Sequence, residues 1–343
     1  MENPPPDAGD AMPFREWMRR ALFDPERGYY SRNVRSVGRD GDFSTSATTG
    51  TALGEALASW LKQELARGKT VRSIIEVGGG DGSLMRAVRR ALGFAWRWRL
   101  KFFLVETSPV LQERQQSVIG AAKARWFPRM EDALDACGGR AIIFHNELLD
   151  AFPVTLVEWN PPAQQWREVW LAREGGRWKE QLQPLTLSDD ERASFSALEA
   201  KPPQPQRCEL GSAAREWLLA WAPHWREGAM LTVDYGDAFP QLYQRRPRGS
   251  LRAYLAHQCL SGDEVLANMG RQDVTADVNF TDLARWGAAL GWTSDAMETQ
   301  RVFLQRHLVQ ANERATDDPA LRFLLDEQGA GAAFHVLAQR CGA

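Results

Sequence analysis

The stretch Ile74-Ile75-Glu76-Val77-Gly78-Gly79-Gly80-Asp81-Gly82-Ser83-Leu84-Met85 decides how this chain is read. An apolar run of strand length ends beside an acid, crosses four glycines in five positions and re-enters apolar periodicity, which predicts strand, tight turn and helix. Glycines let the backbone take φ > 0 and let a ligand lie against main-chain N–H groups, while the opening helix offers unpaired donors. Such a turn is built to hold a ligand.

Working outward, Leu84 to Leu92 continues as the helix, and Phe102-Phe103-Leu104-Val105-Glu106 reads as a second strand that again ends in an acid. This order begins a doubly wound parallel α/β sheet, whose ligand crevice lies beyond the carboxyl ends of the strands. Two cofactors compete for the turn. A dinucleotide site wants G-x-G-x-x-G, and Gly78, Gly80 and Ser83 give a near miss. The order present is E-x-G-x-G-x-G, through Glu76, Gly78, Gly80 and Gly82. A carboxylate beside the turn repels a pyrophosphate and attracts an ammonium or sulfonium, which favours S-adenosyl-L-methionine over NAD. Glu106 suits either, since a carboxylate there can accept both ribose hydroxyls.

Further along, Thr107-Ser108-Pro109 caps the next helix, and Trp126-Phe127 offers a short third strand that is either an adenine wall or core. Ala141-Ile142-Ile143-Phe144 is a buried strand that runs into His145-Asn146-Glu147-Leu148-Leu149-Asp150-Ala151-Phe152-Pro153. Polar groups at a strand's carboxyl end make Asn146, Glu147 and Asp150 the catalytic candidates, with helix capping as their structural alternative. Asp234 and Tyr235 close a later core strand, Gly228 to Gly236, in the same way. Upstream, the loop Gly38 to Ser46 is either a solvated turn or a cover for the cofactor, with Phe43 as apolar wall and Thr45 and Ser46 as donors.

The 343 residues are 44% hydrophobic, enough for a large α/β core with an accessory region. A net charge of -2 gives no global basic field, so no nucleic-acid partner is expected. Cys137, Cys208, Cys259 and Cys341 are scattered, which suggests neither a zinc site nor a disulfide framework, and no metal is expected. Residues 1–12 lack the character of an export or transit peptide, and no apolar run reaches about 18 residues, so a soluble cytoplasmic protein with no membrane partner is expected. The predicted organisation is N-terminal helices and covering loop over 1–70, the cofactor-binding core over 71–153, and an inserted β-rich substrate-binding subdomain over 154–210. The rest of the core follows over 211–310, with Val302-Phe303-Leu304 as a late edge strand, and a helical tail occupies 311–343.

Several motifs in succession resemble one family: Gly28-Tyr29-Tyr30, Gly41-Asp42-Phe43-Ser44-Thr45-Ser46, Glu76 to Leu84, Val105 to Pro109, Asn146 to Pro153, Asp234-Tyr235-Gly236, Ser250 to Tyr254 and Asp273 to Ala276. From about Phe14 to His307 the chain is similar to the MidA family of S-adenosylmethionine-dependent methyltransferases, the family of the mitochondrial complex I assembly factor that methylates arginine. The resemblance implies a Rossmann-like class I methyltransferase sheet and an arginine-containing protein acceptor such as a complex I subunit. It implies Glu147, with Asp150 as second arm, as a clamp on the acceptor guanidinium, and Phe152, Asp234, Tyr235 and His257 on the substrate side. The chain departs from the family pattern at Gly79 and Ser83 in the turn, and at Asp277 and Asn279 after Asp273 to Ala276. A small-molecule methyltransferase and a non-catalytic, cofactor-binding assembly factor stay open as alternatives, as do monomer and homodimer.

Overall fold

A computed structural model describes residues 11–32, 50–68, 70–195, 205–244, 246–255 and 258–342. The loop with Phe43, Thr45 and Ser46, and the residue His257, lie outside them. The described parts of 34–148, 217–236 and 280–343 form one compact unit, and those of 1–33, 149–216 and 237–279 form a second.

The first unit is built on one sheet. In chain order its elements are β1 (Ser73–Val77), α1 (Ser83–Leu92), β2 (Lys101–Val105), α2 (Pro109–Ile119), β3 (Arg125–Phe127), β4 (Ile142–Asn146), β5 (Gly228–Asp237) and β6 (Phe334–Cys341). The strand order is β3-β2-β1-β4-β5-β6. All neighbours are parallel except β5 and β6. The order therefore reverses between β1 and β4, the switch point at which a doubly wound sheet opens a crevice. β1 is buried over its full length because it is paired on both edges and covered on both faces, so even its polar residues, Ser73 and Glu76, are buried. Ile74, Leu84, Phe102 and Phe144 share one core with Leu53, Leu57 and Leu61 of the helix Ala52–Arg67. Ser108 accepts from the Leu111 N–H at 3.4 Å and Pro109 occupies the first helical turn, so α2 starts where its sequence signals.

Two expectations fail in this unit. Val302-Phe303-Leu304 belongs to the helix Gln300–His307, in which Phe303, Leu304 and His307 are buried and Val302 faces out. Three residues are too few to reveal that helical repeat, and Thr299 caps the helix by accepting from the Val302 N–H. The tail is not helical throughout: short helices at Ala311–Asp317, Pro319–Leu325 and Ala330–Ala333 lead into β6, whose register runs from Gly228↔Cys341 to Tyr235↔Phe334. β6 is buried on both faces over its first six residues, so it lacks the alternation that marks a half-exposed strand.

The second unit is β-rich but wider than the 154–210 segment expected. Thr155–Asn160, Gln165–Glu174 and Arg177–Pro184 form an antiparallel meander, and Arg207–Leu210 pairs with the first of these strands. The edge is closed by Met12–Pro13, with Met12 opposite Leu171. A second small sheet, Gln258–Leu260, Arg252–Leu255 and Asp273–Thr275, adds residues that the sequence reading placed in the core. The first recruitment rests on strand pairing between distant segments, and the second on hydrogen bonds such as those from the Arg207 N–H to the Pro247 carbonyl and from the Ser250 N–H to Glu209, neither of which local patterns carry. Trp159 and Trp166 pair at 5.7 Å between ring centroids, which makes them packing residues of this unit.

Candidate cofactor and acceptor sites

The turn after β1 has the backbone its glycines predict. Gly78 and Gly82 have φ of +64° and +84°. A Cβ on Gly78 would stand 2.7 Å from Leu148 Cδ1, and one on Gly82 would stand 3.2 Å from the Gln115 backbone, so both backbone angle and space demand glycine. Gly80 is also left-handed, at +51°. The Asp81 carboxylate accepts from the Ser83 N–H and hydroxyl, each at 2.8 Å, and ties the turn to the start of α1.

Glu76 is 1% exposed, and one of its carboxylate oxygens has no partner among the described residues. Burial first, then the charges of Asp81 and Glu106, push its pKa well above the ordinary glutamate range. Three converging acids around an orphaned buried oxygen are costly unless a cation joins them. The chemistry fits a cofactor that carries an ammonium and a sulfonium. A pH dependence follows. Because the folded-state pKa is raised, the unliganded protein is stabilised while Glu76 keeps its proton and loses that stability as pH rises through the raised value. Thermal unfolding across this window should show a falling midpoint that Glu76→Gln flattens; an equal slope in the variant would remove Glu76 as the cause.

Glu106 is buried at the end of β2, and burial raises its pKa. Its Oε1 accepts from the Ser108 N–H at 2.9 Å and its Oε2 from Gln115 Nε2 at 3.3 Å. Gln115 was missed by the sequence reading. It is fully buried, donates also to the Gly80 carbonyl at 3.0 Å, and accepts from Trp126 Nε1 at 2.9 Å, so it links turn, acid and aromatic. The available signal was a polar residue between Leu111 and Ile119 at four-residue spacing, on the buried face of α2.

At the end of β4, Glu147 has φ +52°, a left-handed backbone that a residue with a side chain adopts at a cost. Its N–H donates to the Val233 carbonyl at 3.0 Å, and Asn146 Nδ2 donates to its Oε1 at 2.8 Å. The Leu148 N–H donates to Asp234 Oδ2 at 3.1 Å, and the same side chain, through Oδ1, accepts from the Tyr235 N–H at 2.9 Å. Asp234, expected on the substrate side, is fully buried, and its carboxylate holds the backbone that presents Glu147. Tyr235 packs on Phe334 at 3.9 Å between ring centroids. Gly78, Asn146, Glu147 and Asp234 thus gather at the carboxyl ends of β1, β4 and β5, with Leu148 against the turn. His145 is no proton carrier here, since burial lowers its pKa to about 3.

Asp150 falls in the second unit. It is buried, and its backbone carbonyl accepts from the Ala276 N–H at 2.9 Å. Its charge acts on Tyr30, Arg252 and Tyr254. The Tyr30 hydroxyl donates to Asp273 Oδ1 at 2.9 Å, and Arg252 Nε donates to the Tyr254 hydroxyl at 2.9 Å. Asp277, one of the departures, ion-pairs with both Arg246 and Arg252 and donates its N–H to Ser250 Oγ at 2.9 Å. Phe152 is half-buried beside this cluster in sequence. No group of side chains suited to a metal ion occurs among the described residues.

Residues 52–297 match a family model described as "Putative S-adenosyl-L-methionine-dependent methyltransferase". The chain belongs to this methyltransferase family. Its relatives include the mitochondrial protein arginine methyltransferase NDUFAF7 homolog of Drosophila melanogaster, 27% identical over 78% of this chain and 65% of that protein. The Danio rerio protein arginine methyltransferase NDUFAF7, also named mitochondrial, is 26% identical over 90% of this chain and 76% of its own length. This chain therefore spans just under two thirds of the Drosophila relative. A protein from Burkholderia thailandensis crystallised with S-adenosyl-homocysteine superposes over 100% of this chain and 95% of its own, with a TM-score of 0.82 and 25% identity. The family assigns S-adenosyl-L-methionine as cofactor, in agreement with the acids and glycines of the turn. The relatives' mitochondrial names overturn the expectation of a cytoplasmic protein. No helix among the described residues is long and apolar enough to cross a membrane.

Proposed function

We propose that this methyltransferase transfers the methyl group of S-adenosyl-L-methionine to an arginine side chain of a protein, a subunit of respiratory complex I being the candidate acceptor. The observation that carries the reading is Glu147: an acid held in a left-handed backbone, oriented by Asn146, at the strand ends beside the cofactor turn. The bound cofactor supplies an activated methyl group. Gly78, Gly80 and Gly82 leave room for it along the main chain, Glu76 draws its cationic end, and Glu106 accepts from its ribose hydroxyls. Glu147 accepts guanidinium N–H groups in a charge-assisted pair, which fixes one nitrogen for attack and lowers the entropy cost of alignment. The chemistry then needs positioning and exclusion of water more than a strong base.

We infer that acceptor recognition falls to the second unit, where Asp150, Asp273, Tyr30 and Tyr254 share one cluster of acids and hydroxyls with Arg252. Tyr30→Phe removes one half-buried hydrogen bond and should raise the acceptor KM by about tenfold or less with kcat unchanged. Steady-state kinetics check this, and a fall in kcat at constant KM would remove Tyr30 from binding.

The deciding experiment incubates the protein with methyl-labelled cofactor and an extract rich in respiratory subunits, then hydrolyses the labelled protein to amino acids. Label recovered as methylarginine supports the reading. Label on a small molecule, or none, contradicts it.

A further inference from the structure

Residues 82–105 carry Arg86, Arg89, Arg90, Arg97, Arg99 and Lys101 without one aspartate or glutamate, in a chain whose net charge is -2. Among the described residues no carboxylate pairs with Arg86, Arg90, Arg97, Arg99 or Lys101, and all five are exposed. Arg89 lies over the Phe102 ring at 4.2 Å, close enough to Arg97 for their like charges to be felt. In the short helix Phe94–Arg99, Phe94 is 73% exposed and Trp98 84% exposed. The two are four residues apart and so share one side of the helix. Large apolar rings so bare, framed by unpaired cations, mark an interaction surface.

The helix directly precedes β2, which runs parallel to β1, so this surface lies at the amino ends of the strands. The glycine turn is at the carboxyl ends. Whatever docks here leaves the cofactor turn uncovered.

We propose that Phe94–Arg99, with Arg90 from the last turn of α1, docks the protein on an anionic lipid membrane, Phe94 and Trp98 entering between headgroups and the arginines pairing with lipid phosphates. Cations without acids specify an anionic partner, and aromatic rings at a polar–apolar boundary suit the interfacial region of a bilayer. A single-stranded nucleic acid needs rings laid in a groove or on a sheet for bases to stack, whereas this pair protrudes from a helix. That no helix among the described residues spans a membrane does not bear on surface attachment.

Flotation of the purified full chain with vesicles tests this. The fourteen tryptophans would blur an emission shift, so the amount of protein carried by the vesicles is the readout. The protein should float with vesicles containing phosphatidylglycerol at low salt, detach at high salt, and ignore pure phosphatidylcholine. Phe94→Ala with Trp98→Ala, and separately Arg97→Glu with Arg99→Glu, should each lower partition by at least about tenfold. All these side chains are exposed, so circular dichroism and S-adenosylhomocysteine affinity should stay unchanged. No flotation with anionic vesicles, flotation indifferent to both double variants, or capture of single-stranded RNA in preference to vesicles would overturn the proposal.

Discussion

Glu147→Ala should lower methyl transfer to arginine by on the order of a thousandfold in kcat/KM, while S-adenosylhomocysteine binds within about threefold of the parent protein. The size follows from what the change leaves behind: a guanidinium brought to a water-poor site without its charge partner, and no longer aimed. The cofactor side is spared because Glu76, the glycines and Glu106 stand on other strands. Backbone and side chain can be separated at this position. With φ at +52°, Glu147→Gly should be more stable than Glu147→Ala by about 1 kcal/mol and equally inactive. Equal loss of cofactor affinity and activity in Glu147→Ala would instead show that the turn, not the acceptor, depends on this residue.

Glu106→Ala should cost about a hundredfold in affinity for S-adenosylhomocysteine, since hydrogen bonds to a charged acceptor are worth about 1.5–3 kcal/mol each and a ribose can supply two. Calorimetric titration measures it. Glu106 also holds the Ser108 N–H and Gln115, so alanine will disturb the start of α2. Glu106→Gln, which keeps shape and an acceptor oxygen, should recover folding stability and only part of the affinity. If glutamine restored full affinity, the charge would not be what the ribose recognises. Gln115→Leu completes the test: it keeps the buried volume but cuts the link from Gly80 to Glu106 and Trp126, and should weaken binding less than Glu106→Ala does.

The cofactor turn was legible in the sequence because everything it needs is local: glycine positions, the acid before them, and the acid ending the next strand. Gln115 was not, because its meaning depends on burial between two groups from different segments. Glu147 was legible as an acid at a strand end, but its left-handed backbone, with its N–H donated to the Val233 carbonyl, is announced by no residue type. Asp234 shows the converse case. An acid at a strand's carboxyl end looks like a ligand group, yet two main-chain N–H groups claim it. β6 hid among helices because a strand buried on both faces, with His335 and Gln339 among its buried residues, shows no apolar–polar alternation. The second unit is expected to be β-rich over 154–210, whereas its recruitment of Met12–Pro13 depends on strand pairing, and that of 237–279 on hydrogen bonds, between distant segments.

The central claim is that the turn from Gly78 to Gly82, with Glu76 and Glu106, is a site for S-adenosyl-L-methionine. Calorimetric titration of the full chain with S-adenosylhomocysteine tests it most directly, with NADH as the competing ligand of a doubly wound sheet. One site is predicted, with a dissociation constant on the order of micromolar, about −8 kcal/mol, and no heat from NADH. Binding of NADH in its place, or no binding of S-adenosylhomocysteine, would contradict the account.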